Sequence, residues 1–421
     1  MHMLDKGKLI RLYRKKLGWT QQSLANVVNT SVSTISRIEL GKYDPSRELL
    51  SRIQETLQIE EFTAQEDQPL SNKLHSWHRS ISQGNYTTAQ KYYNELREVP
   101  APYFYENKGL HVLCHFLYAL IRHRTDIATK HVTDVQHYIE TQTTTHTFPF
   151  QKALSLYYLE IHHINYALCY LNVASKLHPE KSAIDGDIHL YYALAYEEIG
   201  NYQDSNSYAD TALKLYQSSM NLPSALLSNI LLLKNAIYSM QQSNTIIIEK
   251  LHHILAHYTS IYTSYIHYVL SLAYFENNDV DNALKYNKKA IANEKNPLQK
   301  AKYILFTSYL YAIQKKPDLA LTYINSANKL NKQKKYTYYC YLLEGILLQI
   351  HGTDNYRTKI SEEILPYFQT TGDRTAQNYC HAILGNVSQQ LHIYKEASAH
   401  YLCVDANNTH FMRLLTIYPK K

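Results

Sequence analysis

Glycine and proline are scarce, with eleven of each among 421 residues. An average protein carries roughly 7% glycine and 5% proline. Tight-turned β sandwiches and barrels need more of both, so the scarcity excludes them. Neither G-x-G-x-x-G nor G-x-x-x-x-G-K-[ST] occurs, which removes the common phosphate-cradling loops. No stretch of 18 or more apolar residues is present, and no charged segment followed by an apolar one opens the chain. The expectation is a soluble, cytoplasmic protein with no membrane partner. Five cysteines (Cys114, Cys169, Cys340, Cys380, Cys403) are scattered without a C-x-x-C, as expected of buried thiols in a reducing compartment. No Ser-His-Asp or Cys-His set stands at a recognisable spacing, so neither an enzyme nor a cofactor is expected. His111 and His115 share a helix face at i, i+4, but no third ligand is well placed. Cys114 lies about 100° away from its neighbour His115, and no metal is expected.

Helix formers and aromatics fill the chain instead. Tyrosine reaches 40 residues and apolar residues make up 45%. Long segments without glycine point to an all-α protein with a large core.

The formal charge of +7 is concentrated at one end. Residues 6–52 hold ten basic groups (Lys6, Lys8, Arg11, Arg14, Lys15, Lys16, Arg37, Lys42, Arg47, Arg52) against three acids (Glu39, Asp44, Glu48), an excess equal to that of the whole chain. Such a patch is the electrostatic footprint of a polyanion binder. The same segment punctuates itself into short helices. Leu9, Ile10, Tyr13 and Leu17 form an i, i+3/i+4 stripe that Gly18 ends. Thr20 caps a second helix with Leu24, Ala25 and Val28 inward. Asn29 stands where a tight turn needs a left-handed residue. Ser31 caps a third helix with Ile35 and Ile38 inward, and Gly41 closes it. Asp44-Pro45 opens a fourth, with Leu49, Leu50, Ile53 and Leu57 as its core face.

Leu9–Leu57 resembles the Cro and phage-repressor type of helix-turn-helix found in Xre-like regulators. The strings that carry the resemblance are I-R-x-x-R-K-K-x-G-W-T-Q-Q-S-L-A, S-x-S-T-I-S-R-I-E-x-G-K and P-S. Asn29 replaces the usual turn glycine. Ser23 replaces the frequent glutamate, so the full capping box is missing. The resemblance implies that the third helix enters the major groove of double-stranded operator DNA. Base readers then fall on Val32, Ser33 and Arg37, with Ser31, Thr34 and Ser36 at the edge or backbone. Arg37 suits a bidentate contact to guanine, and Val32 suits a thymine methyl. Gln21 and Lys42 are placed to hold phosphates, while Glu39 is expected in an internal ion pair.

Glu60–Ser71 is acidic and polar with a late proline, which suits a hinge. The expected organisation is a head at 4–60, a linker at 61–72 and a repeat domain at 73–421. After the hinge a small residue recurs with an aromatic three or four positions later: Ala89, Ala128 (without the aromatic), Ala167, Ser205, Ala283, Ala320 and Ala397. Their spacing implies about nine units of 37–39 residues, with degenerate copies near Ile246 and Lys359. Tyr196, Tyr274 and Tyr311 each precede the small residue by nine. Each unit is a pair of helices that cannot bury both faces alone, so the pairs must stack. The pattern resembles tetratricopeptide repeats, which implies a right-handed α-solenoid.

A phage-repressor-like head followed by a long divergent array resembles the RRNPP class of peptide-pheromone receptors of Gram-positive bacteria, most of all its NprR and PlcR branch. The resemblance implies a homodimeric transcription regulator switched by a short signalling peptide held on the concave face of the array. In that family Asn side chains on this face bind the peptide backbone. Aligning the repeats on their small residues places Asn235, Tyr268, Tyr303, Tyr309 and Asn386 on that face, with Asn229 and Lys234 just off it. A second expectation, also from the family, is a response-regulator-binding or phosphatase-like protein-interaction scaffold.

Overall fold

A computed structural model describes residues 7, 10–11, 13–15, 17–59, 68–97, 99, 107–141, 147–239, 242–258, 262–330, 333–404 and 410–419. Lys6, Lys8, Leu9, Lys16 and linker residues 61–67 lie outside these. All regular structure among the described residues is helical. No helix among them is long and apolar enough to cross a membrane. The backbone separates into two units, residues 1–138 and 139–421. That division falls two helical pairs later than the expected linker, whose residues 68–71 already belong to a helix.

The first unit opens with helical residues 10, 11 and 13–15, then α1 (Gln21–Val27), α2 (Val32–Glu39) and α3 (Arg47–Leu57). Ile10, Leu24, Ala25, Val28, Ile35, Ile38, Ile53 and Leu57 form its first core. Thr20 accepts from the Ser23 amide at 3.0 Å, and Ser31 from the Thr34 amide at 3.0 Å, as the caps require. Ser23 replaces the missing glutamate in part, its hydroxyl lying 2.8 Å from that of Thr20. Asn29 takes φ 54°, the left-handed turn expected of it. Two local expectations differ. Ser46, not Asp44-Pro45, caps α3, because its hydroxyl reaches the Leu49 amide. Leu17 is exposed, since the helix ends before it can turn inward. Two helical pairs follow, α4 (Gln68–Ser82) with α5 (Tyr86–Leu96) and α6 (Lys108–Ile121) with α7 (Thr125–Thr141).

The second unit continues in pairs: α8 (Phe148–Glu160) with α9 (Ile164–Leu177), then a short α10 (Pro179–Ile184), and α11 (Gly186–Glu198) with α12 (Tyr202–Ser218). Next come α13 (Leu222–Ser239) with α14 (Asn244–His257), α15 (Thr263–Glu276) with α16 (Val280–Asn293), and α17 (Pro297–Ile313) with α18 (Pro317–Leu330). α19 (Lys334–Leu347) pairs with α20 (Asp354–Lys359), which runs through a π turn at Ile360–Ile364 into α21 (Leu365–Thr371). α22 (Arg374–Gln390) pairs with α23 (Tyr394–Leu402), and α24 (His410–Ile417) follows.

The recurring residues explain the pairs. Ala89, Ala128, Ala167, Ser205, Ala283, Ala320 and Ala397 are all buried, so the two helices of a pair approach closely. Serines of the first helix add cross-links: Ser271 donates to the Ala283 carbonyl at 2.7 Å and Ser308 to that of Ala320 at 2.8 Å. The tyrosine nine positions earlier meets the aromatic after the small residue. Tyr196 stacks on Tyr208 at 5.6 Å, Tyr274 on Tyr286 at 5.2 Å, and Tyr311 lies 5.4 Å from Tyr323. The degenerate copies shift by one residue. Ile246 and Lys359 are exposed, and the buried positions are Ile247 and Ile360. Of the cysteines, Cys169 and Cys403 are exposed rather than buried.

The turn inside most pairs uses one left-handed residue. Gly84 and Gly200 supply it in two pairs, and His123, His162, Asn278, Lys315, Gln349 and His392 in others. A non-glycine residue pays about 1–2 kcal/mol there. A β-carbon on Gly84 would meet nothing within 4 Å, so only backbone strain opposes it. Gly84→Ala should therefore lower stability by about 1 kcal/mol in urea unfolding, with no change in helix content.

The second unit also closes on itself. Asn165, at the start of α9, donates to the carbonyls of Gln369 and Thr370 in α21 at 3.3 and 3.0 Å. His162 Nε2 lies 3.2 Å from the Tyr336 hydroxyl of α19. Gly372 takes φ 83° and leaves the space that the Asn165 amide fills.

Candidate functional site

The head places its expected DNA readers on and beside α2. Ser33 and Arg37 are exposed; Val32, Thr34 and Ser36 are half-buried. Val32 leans on the core. Ser31 is engaged as the cap, its hydroxyl 2.8 Å from that of Thr34. The Arg37 guanidinium lies 5.5 Å from the Tyr43 ring centre, and Lys42 is exposed. Beneath them Glu39 is buried and receives Arg14 through Nε at 2.5 Å and Nη2 at 3.0 Å, the internal pair expected of it. Arg14 also donates to the Trp19 carbonyl at 2.6 Å. Gln21 Nε2 donates to Glu39 at 2.7 Å, so the side-chain nitrogen assigned to a phosphate is held inside the head.

The second unit holds a half-open cavity of about 250 Å³. First helices of successive pairs line it with two kinds of side chain. Some are apolar or aromatic: Leu272 and Phe275 of α15, Leu305, Phe306 and Tyr309 of α17, and Leu343 of α19. Others are charged. Lys234 of α13 meets Glu197 of α11 at 2.5 Å. Lys335 of α19 bridges Asp373 at 2.9 Å and Glu198 at 3.2 Å. Lys302 of α17 and His162 each stand 3.8 Å from Glu198. The Tyr339 hydroxyl donates to both oxygens of Asp373 at 3.1 Å.

Burial would neutralise these groups, but their partners prevent it. Desolvation opposes the Glu198 carboxylate, yet Lys335 and Lys302 hold it well below the ordinary glutamate range. Desolvation also opposes the Lys335 ammonium, and Asp373 and Glu198 more than offset it. Lys234 behaves alike beside Glu197. His162 has no such surplus; burial, then Lys335, push it down to about 3.

The peptide-contact expectations divide here. Tyr268 and Tyr309 line the cavity. Tyr303 does not; it is buried behind Tyr268, stacked at 4.5 Å. Asn235 is a correction: it is fully buried between helices, donating to Ser205 at 2.7 Å and Asn206 at 3.0 Å. Asn386 is a second, engaged with Tyr401 of α23 rather than lining the cavity. The inward residues are Lys234, one position from Asn235, and Asn378, two turns before Asn386. Sequence reasoning missed Glu197, Glu198, Lys302, Lys335 and Asp373. The available signal was a lysine directly after an apolar run inside a helix, as Lys234 follows Ile230–Leu233. Among the described residues no group of three or more His, Cys, Asp or Glu is placed to hold a metal.

The family model described as helix-turn-helix matches residues 10–62. An uncharacterized HTH-type transcriptional regulator of Methanothermobacter thermautotrophicus is 47% identical over 49 residues, which are 12% of this chain and 71% of that protein. Residues 10–62 belong to the helix-turn-helix family. Beyond this helix-turn-helix head the resemblance runs on. The transcriptional activator NprA of Geobacillus stearothermophilus is 24% identical over 406 residues, covering 88% of this chain and 95% of that one. The crystal structure of NprR in complex with its cognate peptide NprX matches with a TM-score of 0.64 at 14% identity, covering 80% of this chain and 98% of that one. The array behind the helix-turn-helix therefore has the fold of NprR.

Two outcomes follow from the buried groups. Lys335→Ala strands Asp373 and Glu198 and should cost about 3–5 kcal/mol, seen as a lower Tm. His162, His111 and His115 are all held neutral by burial, at about 3, 4 and 3. Unfolded histidines protonate near 6.5. The folded state therefore binds fewer protons than the unfolded state below that pH. Stability is complete above about 6.5 and is lost as pH falls, by up to about 1.4 kcal/mol per pH unit per histidine. Thermal melts from pH 7.5 to 5 should show falling Tm, with a flatter profile in His162→Gln.

Proposed function

We propose that this chain is a transcription regulator that binds operator DNA through its helix-turn-helix and is switched by a short peptide held in the cavity of its repeat array. The observation that carries the reading is the half-open cavity lined by both aromatic and charged side chains, in a chain whose head exposes Ser33 and Arg37 on α2. An aromatic wall suits apolar peptide side chains, and paired charges suit the polar backbone and termini. Asn378 lines the same cavity and can both donate to and accept from a peptide bond. The named functions of NprA and NprR support both halves of the reading. Two heads on a homodimer would read a two-fold site with half-sites a whole helical turn apart.

Binding sites selected from random duplexes by the full chain test the first half. The wild type should enrich a two-fold motif. Arg37→Ala should lose at least tenfold in affinity for it, through lost base contact, with an unchanged melt. A chain that binds duplexes without sequence preference in gel shift, and retains a receiver domain in a pull-down, would instead be a response-regulator scaffold.

A further inference from the structure

The charged groups of the cavity are not evenly paired. Three ammoniums (Lys234, Lys302, Lys335) share it with four carboxylates (Glu197, Glu198, Glu276, Asp373). Lys234 and Lys335 are buried and held by carboxylates within hydrogen-bond distance. Each already makes a charge-assisted hydrogen bond. Lys302 differs on each count. Its side chain stays 30% exposed, and its nearest carboxylate among the described residues is Glu198 at 3.8 Å, an acid already shared with Lys335. Its other neighbour is the Tyr268 ring, 5.7 Å from Nζ. Arg374 also lines the cavity but is exposed, where solvent weakens any ion pair.

The same helix carries the apolar wall. Lys302, Leu305, Phe306 and Tyr309 form one stripe of α17, all facing the cavity. At about 1.5 Å rise per residue, Leu305 and Phe306 sit roughly 4.5–6 Å along the axis from Lys302. An extended peptide rises about 3.3 Å per residue, and side chains two apart share a face at roughly 6.6 Å. The spacings match.

We propose that Lys302 is a carboxylate receptor, and that the ligand is a short peptide presenting a carboxylate two positions from a bulky apolar side chain. This rests on the peptide reading above and narrows it to acidic–apolar sequences. The carboxylate completes the coordination of Lys302, and the apolar group covers Leu305, Phe306 and Tyr309.

Affinity selection with the full chain tests it. The probes are N-acetylated heptapeptide libraries, one with free and one with amidated C-termini, and retained peptides are sequenced. Asp or Glu two positions from Leu, Ile or Phe should be enriched at least fivefold in the amidated library if a side chain supplies the carboxylate. Retention confined to the free-terminus library assigns it to the C-terminus. Lys302→Gln should lose the enrichment and Lys302→Arg should keep it, each checked by thermal melt. Retained peptides without acidic preference, or a preference untouched in a folded Lys302→Gln, overturn the proposal and leave peptide binding standing. No retained peptide from either library overturns the peptide reading as well.

Discussion

The second unit depends on a buried set of ion pairs. Lys335 joins α19 to Asp373 beside α22 and to Glu198 at the end of α11; Lys234 joins α13 to Glu197. An unpaired buried charge costs several kcal/mol, so each of these groups is tolerable only where its partner stands. Glu198 and Lys335 are 137 residues apart in sequence. Their pairing therefore fixes how far the array curls between them. Replacing the set by apolar residues could be neutral for stability. It would also remove the constraint on which repeat meets which, because an apolar wall has no single registry.

The tyrosines work at shorter range. A helical pair with alanine at its contact needs little more than a flat ring above and below it. Tyr208, Tyr286 and Tyr323 provide that ring on the second helix, and Tyr196, Tyr274 and Tyr311 on the first. Glycine becomes unnecessary at the helix contacts, since alanine already permits close approach. It is also sparse at the turns, where His123, Asn278, Lys315 and Gln349 accept left-handed backbone. The low glycine content that first excluded β architectures is thus a consequence of how these pairs turn.

Local chemistry was readable in the sequence, and facing was not. Thr20, Asn29, Ser31 and Glu39 act as their types and spacing imply, because caps, turns and a buried ion pair are set within a few residues or by one partner. The repeat spacing led to nine helical pairs among the described residues, since burial of small residues is periodic. The cavity was harder. One residue on a helix is about 100° of rotation, so a register wrong by one moves a side chain from groove to interface. Asn235 and Lys234 show this: the asparagine packs on Ser205 and the lysine lines the cavity. The degenerate copies at Ile247 and Ile360 left nothing to align that register on. The carboxylates of the cavity and the lysines that pair with them come from different repeats and meet only through the curl, which no local pattern encodes.

The contacts that close the second unit are of a different kind from those that build it. Neighbouring pairs share wholly buried side chains such as Ile266, Leu310 and Ile346, each contributing about 1.5–3 kcal/mol. Closure rests instead on Asn165 with two carbonyls, His162 with Tyr336, and Lys335 with Glu198. Neutral hydrogen bonds contribute about 0.5–1.5 kcal/mol each, because water competes for the same groups. A ligand of micromolar affinity releases about 8 kcal/mol on binding. That exceeds the neutral closing bonds together but not the stack of apolar interfaces between repeats. Only the part of a binding energy that differs between two conformations can shift an equilibrium between them. The helical pairs are thus the rigid bodies of the second unit. The polar closure beside the cavity is the element whose free energy lies within reach of a small ligand.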